Sequence, residues 1–262
     1  MQQYKVYWIT GASSGIGEAL ALKLAHFGNH LILSGRNLDN LETVKRACEQ
    51  SASSVEILPF DMLSIDSFPE IVRKALSFHG KIDVLVNNAG ISQRSPAHET
   101  SFETERKIMD INYFAPVALT KLLLPQFMKQ GSGHIVVISS IAGKFGFPLR
   151  SSYAAAKHAL QGYFEALRLE LKDITVYVTL VYPGRVRTNI SLNAMKADGS
   201  THGKMDKGQL RGISATRCAK VIDRAIQHKK YEVLVGKTEL IPVYLKRFFP
   251  SLFYFLIKKI KP

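Results

Sequence analysis

The chain predicts an α/β fold: one Rossmann-like, doubly wound parallel sheet of about seven strands with helices on both faces. Three observations carry that expectation. Short apolar runs alternate with amphipathic stretches along the 262 residues, as a series of βαβ crossovers requires. A glycine-rich turn, Thr10-Gly11-Ala12-Ser13-Ser14-Gly15-Ile16-Gly17, joins the first apolar run to the first amphipathic stretch. The length, with 46% hydrophobic and 21% charged residues, suits one globular domain spanning residues 1–262.

The elements follow in order. Residues 5–10 read as a strand feeding a helix over 15–27, and residues 30–34 feed a helix over 38–50. A strand over 55–60 leads to a helix over 65–78, and one over 82–87 leads through a loop to a long helical stretch over 102–130. Residues 134–139 precede a helix over 152–171; residues 175–181 and 231–235 complete the strands. Right-handed crossovers make such a sheet parallel, and ligands then sit beyond the carboxyl ends of its strands.

Two segments leave the alternation. Residues 188–213 are polar, basic and too long for a plain connection, so they read as a substrate lid. Residues 240–262 mix aromatics with lysines, and their uncharged run over 248–257 is broken by Pro250. Roughly 20 apolar residues are needed to span a bilayer, so this tail does not span one. It suits either a membrane interface, with Lys246, Arg247, Lys258, Lys259 and Lys261 toward headgroups, or an arm packed over the pocket or another subunit.

Charge is concentrated in the same region. Residues 1–184 hold 18 Lys+Arg against 16 Asp+Glu, whereas residues 185–262 hold 17 against 5, a net of +12 out of +14. Clustering of this kind favours an anionic partner, such as a phosphorylated substrate or an acidic membrane surface. No nucleic-acid-binding motif accompanies it, so nucleic acid is not expected. Cys48 and Cys218 have no metal or redox spacing and suit a reducing compartment. Met1 lies just before the first strand, which leaves no room for a signal peptide and predicts a cytoplasmic location.

The chemistry lies in Ser140, Tyr153 and Lys157. On a helix, Tyr153 and Lys157 are four apart and share a face. A nearby ammonium favours the phenolate, so Lys157 is expected to lower the Tyr153 pKa. A tyrosine so poised hands a proton to a carbonyl oxygen or takes one from an alcohol, and Ser140 offers a hydroxyl to the same oxygen. The glycine-rich turn opening a helix is the context of a dinucleotide site, where glycines admit the pyrophosphate and the helix N-terminus supplies N–H groups.

In order and separation, the glycine-rich turn, Asn87-Asn88-Ala89-Gly90, Ser140 with Tyr153 and Lys157, and Pro183-Gly184 resemble the short-chain dehydrogenase/reductase (SDR) family, over essentially the whole chain. The resemblance implies a catalytic tetrad of Asn112, Ser140, Tyr153 and Lys157. Asn112 would hold a water of the proton relay from a locally disturbed helix, and Lys157 would bind the nicotinamide ribose. Gly11, Ser13, Ser14, Gly15, Ile16 and Gly17 would follow the pyrophosphate. Asn87, Ala89 and Gly90 would border the adenosine ribose, while Asp61 would touch adenine or simply cap a turn. Pro183, Gly184, Val186 and Thr188 would cover the nicotinamide. Arg185, at a place the family often gives to an apolar residue, would meet an anionic substrate group or point to solvent.

An acidic residue at the end of the second strand would repel a 2′-phosphate. This chain has Gly35 and Arg36 there, and a guanidinium suits a phosphate, so the expected cofactor is NADP(H).

Segments in 188–200 and around 244–252 look like those of one SDR branch, the family member seven-B branch and its bacterial relatives. That likeness implies NADPH-dependent reduction of a hydrophobic ketone or aldehyde of steroid, retinoid or lipid type, in a homodimer or homotetramer. An acyl- or alkyl-dihydroxyacetone-phosphate-like ketone would account for both the apolar tail and the basic lid. A non-catalytic NADP(H)-binding scaffold is the rival reading, and intact Tyr153 and Lys157 stand against it.

Overall fold

Every strand of the central sheet runs parallel, so both of its faces must be covered and its strands read as continuous apolar runs. The computed structural model describes residues 4–257. β1 (Val6–Thr10) leads to α1 (Gly15–Leu24), β2 (His30–Ser34) to α2 (Leu38–Glu49), and β3 (Ser54–Ile57) to α3 (Phe68–His79). β4 (Val84–Asn87) is followed by α4 (Phe102–Met109) and α5 (Ala115–Gln130), and β5 (Gly133–Ile138) by α6 (Ser151–Glu170). β6 (Val176–Pro183) ends near a two-residue pairing of β7 (Val186–Arg187) with β8 (Ile213–Ser214), with α7 (Lys207–Leu210) between them. α8 (Ala215–Gln227) returns the chain to β9 (Glu232–Val235), and α9 (Ile241–Phe248) and α10 (Pro250–Ile257) follow.

The strand order is β3-β2-β1-β4-β5-β6-β9. β1 pairs with β2 on one side and β4 on the other, so the order reverses there and the loops beyond β1 and β4 part to leave a crevice. Alternate residues of β1 face opposite ways. Val6 and Trp8 join a core with Phe68, Phe127, Phe164 and Tyr182, and Tyr7 and Ile9 join another with Leu20, Leu33, Val136 and Ile222. Each fully buried side chain of this size contributes about 1.5–3 kcal/mol.

Two features differ from the sequence expectation, and a third gives the expected disturbance at Asn112 its form. The helix expected over 102–130 is broken by a π-helical turn, Asp110–Phe114. There the Asn112 side chain donates to the Ile108 carbonyl at 2.9 Å, taking a partner that a regular helix gives to a backbone N–H. Helix α8 is not among the expected elements. Its buried face of Cys218, Ala219, Ile222, Ala225 and Ile226 is made largely of small residues set among cations. The tail forms two short helices, α9 and α10, and Pro250, which lacks an N–H to continue the first, begins the second.

The inner face of the tail packs on the sheet side of the molecule, with Phe253 against Ile141 and Phe145 and with Val243 and Leu245 beside them. Its outer face shows Ile241, Tyr244 and Phe248, spaced by three and four and each more than half exposed. Lys258, Lys259 and Lys261, assigned above to headgroups, lie outside the described residues. Among the described residues no helix is long and apolar enough to cross a membrane.

Candidate active site

A cleft of about 1380 Å³ runs across the carboxyl ends of β1, β2, β4, β5 and β6, from Arg36 and Asp61 at one pole to Tyr153 and Lys157 near the other. The glycine-rich turn forms its floor. Gly11 has φ +64°, and a Cβ at Gly17 would overlap the Gly11 carbonyl, so turn and helix approach as only glycine allows. Thr10 Oγ1 accepts from the N–H groups of Asn88 (3.0 Å) and Ala89 (3.1 Å), and Asn88 Nδ2 donates back to Thr10 O at 2.9 Å. The loops after β1 and β4 are thereby fixed to each other.

The site fits a dinucleotide. Ser14, at the cap position of α1, places no side-chain oxygen on the helix N–H groups, which leaves them and the positive end of the helix for a diphosphate. Ser13, Ser14, Gly15 and Ile16 line the cleft there, as do Ala89, Gly90, Pro183, Gly184, Val186 and Thr188. Within the Asn87–Gly90 segment, Asn87 is buried behind the wall, donating to Thr120 Oγ1 at 3.0 Å, and Asn88 takes the place facing the cleft. Gly17 likewise lies beneath the turn. Arg36 pairs with Asp61 at 3.8 Å, Arg36 largely and Asp61 partly open to solvent, and Asp61 Oδ1 also accepts from Leu63 N at 3.0 Å and so does cap its turn.

At the other pole, Ser140 follows β5 and holds its Oγ against Ala142 N at 3.1 Å. Tyr153 is buried and lines the same wall of the cleft as Ser140. Lys157 Nζ lies 5.8 Å from the Tyr153 ring centre and donates to Ile138 O at 2.9 Å. Asn112 spans the gap between the β4 loop and the π turn, accepting from Ile91 N (3.1 Å) and donating to Ile91 O (3.0 Å). The π turn thus carries the fourth residue of the expected tetrad to the same wall.

The electrostatics correct one expectation. Burial raises the Tyr153 pKa, and the influences opposing it are the Ser140 side chain and the charge of Arg150, rather than Lys157. Lys157 is itself pulled down to about 8 by burial. Tyr153 therefore holds its proton at neutral pH, as a proton donor must.

Three residues at this end were not singled out from sequence. Gln93, fully buried, accepts from the N–H groups of Ser152 (2.9 Å) and Tyr153 (3.2 Å) and so caps the catalytic helix. Arg150, just before that helix, meets Asp206 of the 188–213 segment. No local spacing signals any of the three. Arg185 is exposed and lies along Gly208 of α7 at the cleft rim.

A parallel sheet with a dinucleotide cradle and a Ser–Tyr–Lys group, its tyrosine and lysine buried, defines a nicotinamide-dependent oxidoreductase of Rossmann type. The family described as short chain dehydrogenase matches residues 5–198, and the chain belongs to the short-chain dehydrogenase/reductase family. It is 42% identical over 255 residues to rat dehydrogenase/reductase SDR family member 7B, covering 94% of this chain and 78% of that one. It is 40% identical over 260 residues to the Drosophila melanogaster SDR family protein 7-like, covering 97% and 80%. Among solved structures, a Burkholderia phymatum SDR in complex with NAD superposes with a TM-score of 0.83 at 25% identity, covering 95% of each chain. An alcohol dehydrogenase from Thermococcus sibiricus, complexed with 5-hydroxy-NADP, gives 0.78 at 27% identity, covering 90% and 98%.

Proposed function

We propose that the protein is an NADPH-dependent reductase of hydrophobic ketones or aldehydes, with Tyr153 as the proton donor. The observation that carries this is the buried Tyr153, which shares with Ser140, Lys157 and Asn112 the same cleft as the dinucleotide cradle. Bound in that cradle, the nicotinamide coenzyme supplies the hydride. Tyr153 gives its proton to the carbonyl oxygen while Ser140 donates a hydrogen bond to the same oxygen, so charge developing there is met as it forms. Lys157 is placed to bind the nicotinamide ribose, and Arg36 to meet a 2′-phosphate. Residues 188–213 act as the lid over the substrate end.

An NADPH-consumption screen over steroids, retinal, quinones, 3-keto esters and acyl-dihydroxyacetone phosphate tests the reading. Turnover of at least one apolar carbonyl is expected, and coenzyme binding without turnover of any would favour the scaffold. One observation favours the phosphorylated lipid ketone within that set. Arg94, Arg185, Lys204, Lys207 and Arg211 line the substrate end of the cleft against Asp206 and Glu239. The exposed apolar side chains Phe114, Leu122, Met128 and Leu169 support a homodimer or homotetramer joined through α5 and α6.

The outer face of α9 supports contact with an anionic membrane surface. Ile241, Tyr244 and Phe248 are exposed beside Pro242, which lines the cleft, so an apolar substrate would pass from lipid to site over a short path. Each cation near an acidic surface adds about 1 kcal/mol, screened within roughly 8–10 Å. Binding to anionic vesicles should exceed binding to neutral ones, weaken with salt, and fall sharply in Tyr244→Glu/Phe248→Glu. Equal binding to both vesicle types would exclude this role.

A further inference from the structure

Three charged side chains from three separate stretches, Arg94, Arg150 and Asp206, meet at the mouth of the cleft, and no step of the chemistry above passes through them. Asp206 lies 2.7 Å from Arg150 Nη2 and 3.5 Å from Arg94 Nη2. Each of the three side chains is a fifth exposed or less. Arg150 also donates to Ser92 Oγ and, at 3.1 Å, to the Gln93 carbonyl, whose own side chain caps the catalytic helix. Its guanidinium therefore joins the 188–213 segment to the start of α6, three residues before Tyr153. Elsewhere that segment is sewn to the same wall by backbone bonds, Met195 N to Ser92 O (2.9 Å) and Arg94 N to Met195 O (2.8 Å). Asp206 holds its second half, ahead of α7.

We propose that Asp206 and Arg150 form a charged latch that couples closure of the 188–213 lid to the catalytic tyrosine, with Arg150 as the positioning residue at both ends. The inference rests on Tyr153 being the proton donor. Several groups face that ring or its immediate neighbours. Lys157 lies on α6 at 5.8 Å from the ring centre, and Ser140 follows β5. Arg150 stands at the helix start with Asp206 and Arg94 behind it, and Glu105 of α4 accepts from Ser152 Oγ at 2.8 Å.

Of these, Arg150 is the cation that opposes the upward pull of burial on Tyr153. With the latch closed, the Asp206 carboxylate offsets part of that charge, and the phenol keeps its proton for transfer. With the latch open, the guanidinium acts on the phenol without that offset and favours phenolate. Closure over a substrate thus coincides with the protonated, donating form of the tyrosine.

The two halves of an ion pair give this proposal opposite signs. Asp206→Asn leaves the Arg150 charge without its offset, so Tyr153 should ionise at lower pH. Arg150→Gln removes the cation, so Tyr153 should ionise at higher pH, and Arg150→Lys should stay near the parent. The shifts should be roughly half a pH unit or more, as charges interacting across a partly buried site produce. They are read from tyrosinate absorbance in the presence of NADP⁺, each protein against its own Tyr153→Phe counterpart so that the other tyrosines cancel.

Limited trypsin digestion at the exposed Lys204, Lys207 and Arg211 reads the lid itself, and both Asp206→Asn and Arg150→Gln should be cut faster than the parent. Faster cutting in both with ionisation shifted the same way, or not at all, would reduce the pair to a structural brace. Unchanged digestion would remove the latch. If Arg150→Gln does not fold, the direction of the Asp206→Asn shift alone decides. The underlying reading fails separately, if Tyr153→Phe retains full reductase activity.

Discussion

Replacing Tyr153 by phenylalanine is expected to lower carbonyl reduction by about 10²–10⁴-fold, the usual contribution of a positioned general acid. The ring stays and its packing with it. Tyr153 sits in a small apolar cluster with Ile108, Ala142, Ala154, Ala156 and Met195, so the phenyl group keeps those contacts and only the hydroxyl is lost. NADPH binding should persist, because the glycine-rich turn and the β4 loop hold each other through Thr10 and Asn88 without help from α6. Single-turnover reduction and coenzyme titration on the same preparation separate the two effects. A loss below tenfold would assign the proton to another group. Since burial raises the Tyr153 pKa, reduction by the unmodified protein should hold through neutral pH and decline only in the alkaline range, as the phenol ionises. Alcohol oxidation needs the phenolate and should rise over that same range.

NADPH is expected to exceed NADH in kcat/KM by at least about tenfold, and Arg36→Asp should narrow or invert that ratio. A charge-assisted hydrogen bond to phosphate is worth roughly 1.5–3 kcal/mol, which is about ten- to hundredfold. Asp61, 3.8 Å from Arg36, competes for the same guanidinium. That pair is too open to solvent to hold it strongly, since exposed ion pairs contribute about 0–1 kcal/mol. Asp61→Asn should therefore leave the preference for NADPH in place or enlarge it. Equal use of both coenzymes by the parent would overturn the assignment of the 2′-phosphate to Arg36.

What the sequence made legible is what local geometry encodes. Parallel strands covered on both faces must be apolar at every position, so β1, β2, β4 and β5 stand out as unbroken runs. The glycine-rich turn and the Tyr153–Lys157 pair are also local, the first a single bend and the second one turn of one helix. Helix α8 escaped notice because its buried face is built largely of small residues, whereas the disturbed helix at Asn112 was implied by the family resemblance alone, its cause lying in another loop, at Ile91. Gln93, Arg150 and Asp206 were hidden for a different reason. Arg150 and Asp206 are 56 residues apart, and Gln93 is 60 from Tyr153, separations that no period records. The electrostatic expectation erred for another reason, since Arg150 is only three residues from Tyr153. The Lys157 ammonium is turned to Ile138 O, a direction that its place on the helix does not reveal, and Arg150 is the cation that opposes burial at the phenol.

The cleft has two builders. Its adenosine pole comes from the first 90 residues or so, through the ends of β1, β2 and β4, whereas much of its substrate rim comes from residues 185–242. The family match stops at residue 198, and the surplus of positive charge lies almost wholly beyond residue 184. A division of this kind leaves the two ends separable in sequence. Substitutions in the rim change what is admitted without touching how the dinucleotide is gripped, and the hydrogen-bonded join between the β1 and β4 loops keeps the grip indifferent to them. What enters the rim and what is held at the adenosine pole are thus set by separate stretches of the chain.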